Sequence, residues 1–226
     1  MRSEAIVVPG YLAETYWWAY VHPRAVRLFE REWLVNLILW GNFGRLRDAA
    51  LGALDPDSGR TLQIACVYGD LTRRLRGRIH DAGVLDVVDV LPIQLDNLAR
   101  KMPAGSALGL HQGDSSKLAF ASGSYDQALL FFLLHEQPEE VRRSTIAEAL
   151  RVLKPGGRLV IVDYHRPRVS NPLFWPMVAI LGMLEPFAMD LWRNEISAWL
   201  PRDVKISMQK STSFGGLYQL VTLEKG

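Results

Sequence analysis

At 226 residues, 49% of them hydrophobic and 22% charged, the chain is long enough for one domain with a full core, and its length requires no second. A formal charge of +2 and a pI near 8.7, without any run of basic residues, exclude the phosphate track of a nucleic-acid binder but are compatible with an anionic membrane surface. The lone Cys66 excludes an intrachain disulfide, and Glu4 and Pro9 interrupt what would be a signal-peptide core, so a reducing, cytoplasmic setting is expected.

Residues 1–55 read as an aromatic helical cap. Tyr16, Trp17, Trp18 and Tyr20 cluster too densely for routine surface and suit an aromatic pocket or a membrane interface. Pro23 marks a helix start, and the apolar spacing predicts one helix over residues 25–43, with Phe29, Trp33, Leu34 and Leu37 packed on a sheet.

From residue 61 the rhythm becomes strand, turn, helix. Strands are expected at 62–67, 84–88, 107–111, 125–133 and 158–162, with helices at 71–80, 92–101 and 139–153. Alternation of this kind implies right-handed crossovers and a parallel sheet, an α/β fold with its ligand over the carboxyl ends of the strands. The first such end is Ile64-Ala65-Cys66-Val67-Tyr68-Gly69-Asp70. It stands where a turn of backbone N–H groups meets a nucleotide-like ligand, yet only Gly69 supplies the glycine that such turns use for close approach. The stretch 169–184 is uncharged but interrupted by Pro172 and Pro176, too short to span a bilayer and suited to an apolar cover or a membrane-dipping element. Residues 204–208 and 217–222 alternate like strands and finish the sheet as an antiparallel pair across Gly215-Gly216.

Polar residues gather at the strand ends. Asp89 closes the second strand, where a carboxylate can take ribose hydroxyls, and Asp114 follows the third, where it can accept from an adenine amino group. His135-Glu136 follows the fourth strand and Asp163-Tyr164-His165 ends the fifth.

Three runs within residues 60–165 resemble the middle motifs of class I S-adenosylmethionine-dependent methyltransferases, above all those of ubiquinone and menaquinone biosynthesis. They are Gly113-Asp114-Ser115-Ser116-Lys117-Leu118-Ala119-Phe120, Ser124-Tyr125-Asp126, and Glu148-Ala149-Leu150-Arg151-Val152-Leu153-Lys154-Pro155-Gly156-Gly157-Arg158-Leu159. The resemblance implies a Rossmann-like seven-stranded sheet, mostly parallel with an antiparallel last strand, and S-adenosylmethionine as ligand. The positions implied for that ligand are Gln63, Ala65, Val67, Tyr68 and Gly69, with Asp89, Val90, Asp114 and Ser115.

The first motif departs from that family. An acidic residue and Gly-x-Gly-x-Gly are replaced by Gln63, Ala65, Val67 and Gly69, with Tyr68 in the turn. Together with the opening Tyr16-Trp17-Trp18-Ala19-Tyr20-Val21-His22-Pro23, this resembles the RquA-type rhodoquinone biosynthesis family over nearly the whole chain. That resemblance implies replacement of a ubiquinone methoxy group by an amino group, with S-adenosylmethionine as nitrogen donor and manganese(II) required. A neutral Gln63 fits it, because loss of a nearby carboxylate lowers an amine's pKa and a nucleophilic amine must shed its proton.

Tyr68, Asp114 and His135 are the catalytic candidates, and His135, Asp163 and His165 the metal candidates, although no compact ligand spacing exists. Trp17, Trp18, Tyr20 and Trp175 are expected to enclose the quinone ring, with its isoprenoid tail left in the bilayer and the protein held on the inner membrane through residues 171–187. Two rival functions remain: an ordinary quinone or lipid methyltransferase, and a non-catalytic protein that binds the cofactor or a lipid.

Overall fold

The computed structural model describes residues 8–15, 22–103, 105–185 and 187–226. Trp17, Trp18 and Tyr20 therefore lie outside the described residues. The chain opens with short helices α1 (Gly10–Thr15), α2 (Pro23–Phe29) and α3 (Glu32–Ile38), followed by α4 (Phe43–Ala53). The core then alternates β1 (Arg60–Ile64), α5 (Leu71–Arg78), β2 (Val84–Asp89), α6 (Pro92–Lys101), β3 (Leu108–Gln112), β4 (Tyr125–Phe131), α7 (Glu139–Val152) and β5 (Leu153–Tyr164). Helices α8 (Phe174–Leu184) and α9 (Ala188–Arg193) precede the last strands, β6 (Ile206–Ser213) and β7 (Tyr218–Lys225).

The seven strands form one sheet in the order β3-β2-β1-β4-β5-β7-β6. β7 runs antiparallel to both β5 and β6, and the other pairings are parallel. Strand order reverses between β1 and β4, the switch point where an open α/β sheet leaves a crevice at its carboxyl edge. Both strands stop there through a non-glycine residue in the left-handed region: Ala65 at φ 74° and Phe132 at φ 54°. Each costs on the order of 1 kcal/mol or more, the kind of strain that collects at functional edges.

The central strands are buried almost throughout because helices cover both faces of the sheet. One apolar cluster joins the sheet to α4, α5, α6 and α8, and the other joins it to α7 and residues 191–199.

The single helix expected over residues 25–43 is instead α2, α3 and the start of α4. Trp40 and Gly41 take positive φ of 52° and 77°, so the chain turns there and Phe43 enters the core while Trp33 and Leu37 face outward. The apolar stripe is real in sequence, but only its end at Leu39 and Phe43 joins the core, while Trp33 and Leu37 face away from the sheet. β5 begins earlier than expected, because the Pro155-Gly156-Gly157 segment continues the strand from Leu153.

Candidate ligand cavity at the carboxyl edge of the sheet

A cavity of about 540 Å³ opens over the carboxyl ends of β1, β2 and β4. Its polar half is bounded by the turn Ala65, Cys66, Val67 and Tyr68, by Asp89 and Val90 after β2, and by Gly113, Asp114 and Ser115 after β3. Its apolar half is bounded by Val35, Ile38, Leu39 and Trp40 of the cap, by Phe131 and Phe132, and by Met177, Ile180 and Leu181 of α8. His135, Glu136 and Tyr164 lie along the same wall.

The turn after β1 is held from outside. Glu30, at the end of α2, accepts from the Gly69 N–H at 3.1 Å, from Asn97 at 2.6 Å and from the Lys101 ammonium at 2.7 and 2.9 Å. Lys101 also donates to the carbonyls of Val67 and Gly69, each at 3.0 Å. This ion pair between Glu30 and Lys101 of α6 holds a turn that contains a single glycine, Gly69. Gly69 itself is required: at φ 81°, a Cβ there would stand 2.9 Å from Phe43 Cζ.

Asp89 is fully engaged, accepting from Cys66 N–H at 2.7 Å and Leu91 N–H at 2.8 Å. Burial pushes its carboxyl up to about 6 despite those hydrogen bonds. Asp114 Oδ1 accepts from the backbone and hydroxyl of Ser116, each at 2.8 Å, and Ser115 Oγ pairs with Thr145 at 2.9 Å. The Tyr68 hydroxyl accepts from Gln94 at 2.8 Å, its ring stacks on Phe29, and burial pushes its phenol well above the usual value. Gln63 does not line the cavity. It lies beneath the turn, donating to Ala65 O at 2.9 Å, with its Oε1 buried and unpartnered.

His135 is buried, with Nδ1 2.9 Å from Asp163 Oδ1. Burial opposes its charge, but Asp163, Glu185 and Glu136 prevail and raise the imidazole to about 9. Asp163 in turn receives the backbone N–H groups of Leu134, His135 and Tyr164. Behind them, the buried Arg142 donates to the carbonyls of Leu134 and Gln137 and stacks on Trp199, which fixes the segment carrying His135 and Glu136.

The three expected metal ligands do not come together. Both oxygens of Asp163 are committed to donors, and His165 lies away from the cavity, paired with Gly216 O at 2.8 Å. No group of three His, Cys, Asp or Glu side chains suited to a metal ion occurs among the described residues. The donor set named from the sequence therefore does not fit manganese(II). Trp175, expected against the quinone ring, does not line the cavity and faces outward.

Sequence reasoning assigned no role to Glu30, Lys101, Arg142 or Gln94, and passed over Tyr11. Tyr11 in α1 lines the cavity, where its phenol is raised by burial and by Glu136 and Asp114. For Glu30 the sequence shows only a charged triplet, Glu30-Arg31-Glu32, and no signal of a role. Arg142 gave none, since it occupies an ordinary charged position in a helix.

Residues 61–157 match the family model described as a methyltransferase domain. An uncharacterized methyltransferase of Synechocystis sp. is 29% identical over 207 residues, covering 90% of this chain and 92% of that protein. The ubiquinone/menaquinone biosynthesis C-methyltransferase UbiE of Ectopseudomonas mendocina is 32% identical over 147 residues, 62% of this chain, which spans 55% of that relative's length. Among solved structures, N-methyltransferase NodS from Bradyrhizobium japonicum in complex with S-adenosyl-L-homocysteine superposes with a TM-score of 0.59 at 14% identity, covering 89% of this chain and 97% of that one. At that identity the likeness concerns the fold.

Proposed function

We propose that the protein, whose residues 61–157 match a methyltransferase-domain model and which is similar to a quinone-biosynthesis C-methyltransferase, binds S-adenosylmethionine and uses its amino nitrogen to displace a methoxy group from a ubiquinone ring, forming rhodoquinone. The observation that carries the reading is the floor of the cavity. Val67 lines it where a glycine would let the cofactor approach, Tyr68 beside it adds a ring, and Gln63 is turned beneath it, so β1 offers no carboxylate to the methionine ammonium. Without that carboxylate the ammonium loses its proton more readily and becomes a nucleophile. The carboxylates of Asp89, Asp114, Glu136 and Glu185 suit the permanent sulfonium charge and the hydroxyl groups of the ligand, and the apolar half suits a quinone ring.

In this arrangement the nitrogen adds to the ring carbon that bears the methoxy group, and the electron pair moves onto a quinone carbonyl oxygen. Tyr68, kept protonated by burial, and the His135 imidazolium are the donors available to stabilise that oxygen. Collapse expels methoxide, which leaves as methanol with the proton released by nitrogen. Release of the aminated ring then breaks the donor's N–Cα bond by elimination: a cavity carboxylate takes a Cβ proton, the C–H pair becomes a Cα=Cβ double bond, and the nitrogen leaves with the N–Cα pair and gains a proton, so the donor departs as its deaminated alkene. The manganese requirement implied by the rhodoquinone resemblance enters no step, because the residues named for the metal do not fit it.

The test is to incubate pure protein with short-tail ubiquinone and S-adenosylmethionine carrying heavy nitrogen in its amino group, with and without manganese(II). A lighter product that retains the heavy nitrogen supports the reading. A heavier product carrying the sulfonium methyl establishes methyl transfer, the alternative favoured by the names of the curated relatives.

A further inference from the structure

The cavity opens onto an apolar face that no described element covers. On α3, Trp33 is 59% exposed, with Leu37 and Ile38 beside it. On α8, Trp175 is 71% and Met183 83% exposed. Trp40, just past α3, points its indole N–H at Met177 Sδ of α8, 3.2 Å away. Leu37, Ile38, Trp40 and Ile180 are at once exposed and part of the cavity wall, so its mouth lies inside this face.

The flanks are basic. Arg24, Arg27 and Arg31 lead into α3, and Arg166 and Arg168 lead toward α8; all five are exposed, whereas Phe174–Leu184 contains no charged residue. We propose that this face docks on an anionic lipid bilayer, with α3 and α8 lying in the interface and the cavity mouth opening into the acyl region. A patch of exposed tryptophan and aliphatic side chains bordered by arginines matches the headgroup boundary, where rings sit beside the acyl chains and cations meet lipid phosphates. No described helix is long and apolar enough to cross a membrane, which makes an in-plane attachment the consistent geometry. The proposal rests on the quinone reading only for the cargo; docking itself is independent of the reaction.

Flotation of the full chain with vesicles tests it, comparing phosphatidylglycerol-rich with pure phosphatidylcholine membranes and no substrate present. Binding is expected to the anionic vesicles, weakening as salt is raised, and the exposed pair Trp33→Glu/Met183→Glu is expected to lower partition at least about tenfold. Each single change should give an intermediate loss, and turnover of a short-tail quinone by the double variant should match the parent, so a failed function and a failed dock read differently. Absence of vesicle binding by the parent, or unchanged partition of the double variant, overturns the proposal. So does elution of the parent as a dimer that the double variant dissolves, because a second copy would then be the occupant.

Discussion

The Glu30 carboxylate is the best point at which to perturb the cavity floor. Replacing it with alanine removes four hydrogen bonds at once, those from Gly69 N–H, from Asn97 and the two from Lys101. Lys101 is left facing the carbonyls of Val67 and Gly69 without a counter-charge. Breaking a fully buried pair costs about 3–5 kcal/mol, but these side chains keep 24% and 22% of their exposure, so solvent returns part of that. An orphaned Gly69 N–H adds about 1 kcal/mol, for a net of about 2 kcal/mol. In a chain of this size that lowers Tm by about 4–8 °C, and about 30-fold in S-adenosylmethionine affinity is at stake if the cost falls on the turn. Thermal melts with and without S-adenosylmethionine, together with titration calorimetry, measure both. The cycle with Lys101→Met should return a coupling of about 1 kcal/mol or more. Additive effects of the two substitutions, or an unchanged Tm and Kd for Glu30→Ala, would refute the idea that this pair holds the turn.

Gly69→Ala should cost about 2 kcal/mol or more, because it combines a φ of 81° with a Cβ driven against Phe43; Phe43→Leu in the same chain should recover part of the melting temperature. Ala65→Gly relieves the left-handed strain at φ 74° and should raise Tm by a few degrees in denaturation scans. Because His135 is raised from 6.5 to about 9, its contribution to stability is complete below pH 6.5 and is lost as pH rises through 9. That difference of about 2.5 units sets a ceiling of about 3 kcal/mol, and the loss should vanish from urea titrations of His135→Gln, which removes the charge facing Asp163, Glu136 and Glu185. Tyr68→Phe keeps the ring stack on Phe29 and removes the hydroxyl; turnover should fall by about 10- to 100-fold while donor binding measured by calorimetry changes little.

Helix α6 was legible in the sequence almost to the residue, because Pro92 presets its first turn and Arg100-Lys101 complement its last. The parallel strands were legible for a related reason: covered on both faces, they read as continuous apolar runs. What the cap does was not legible. An apolar spacing of three and four describes a helix face but not its partner, and the backbone turn at Trp40-Gly41 sends one part of that stripe into the core and another outward. Site residues near their neighbours in sequence, such as Asp89 and Asp114, could be placed at strand ends. The contact between Glu30 and Lys101 spans 71 positions and carries no local periodicity, so only the fold brings it into view.

That long-range pair bears on how such a turn can change its chemistry at all. Glycines in a ligand-cradling loop serve two purposes, giving the backbone its unusual dihedrals and keeping side chains away from the ligand. In this chain the purposes are separated. The dihedral requirement is met at Gly69 directly and at Ala65 with strain, while the ionic clamp supplies the rigidity that lets the strain persist. Positions 67 and 68 are thereby free to carry valine and tyrosine into the cavity without loss of the turn. The helical cap that furnishes Glu30 thus both holds the turn under the cavity and supplies part of the cavity's apolar wall. Restoring glycines at 65 and 67 while keeping Glu30 should leave the turn in place and change only what the ligand meets there.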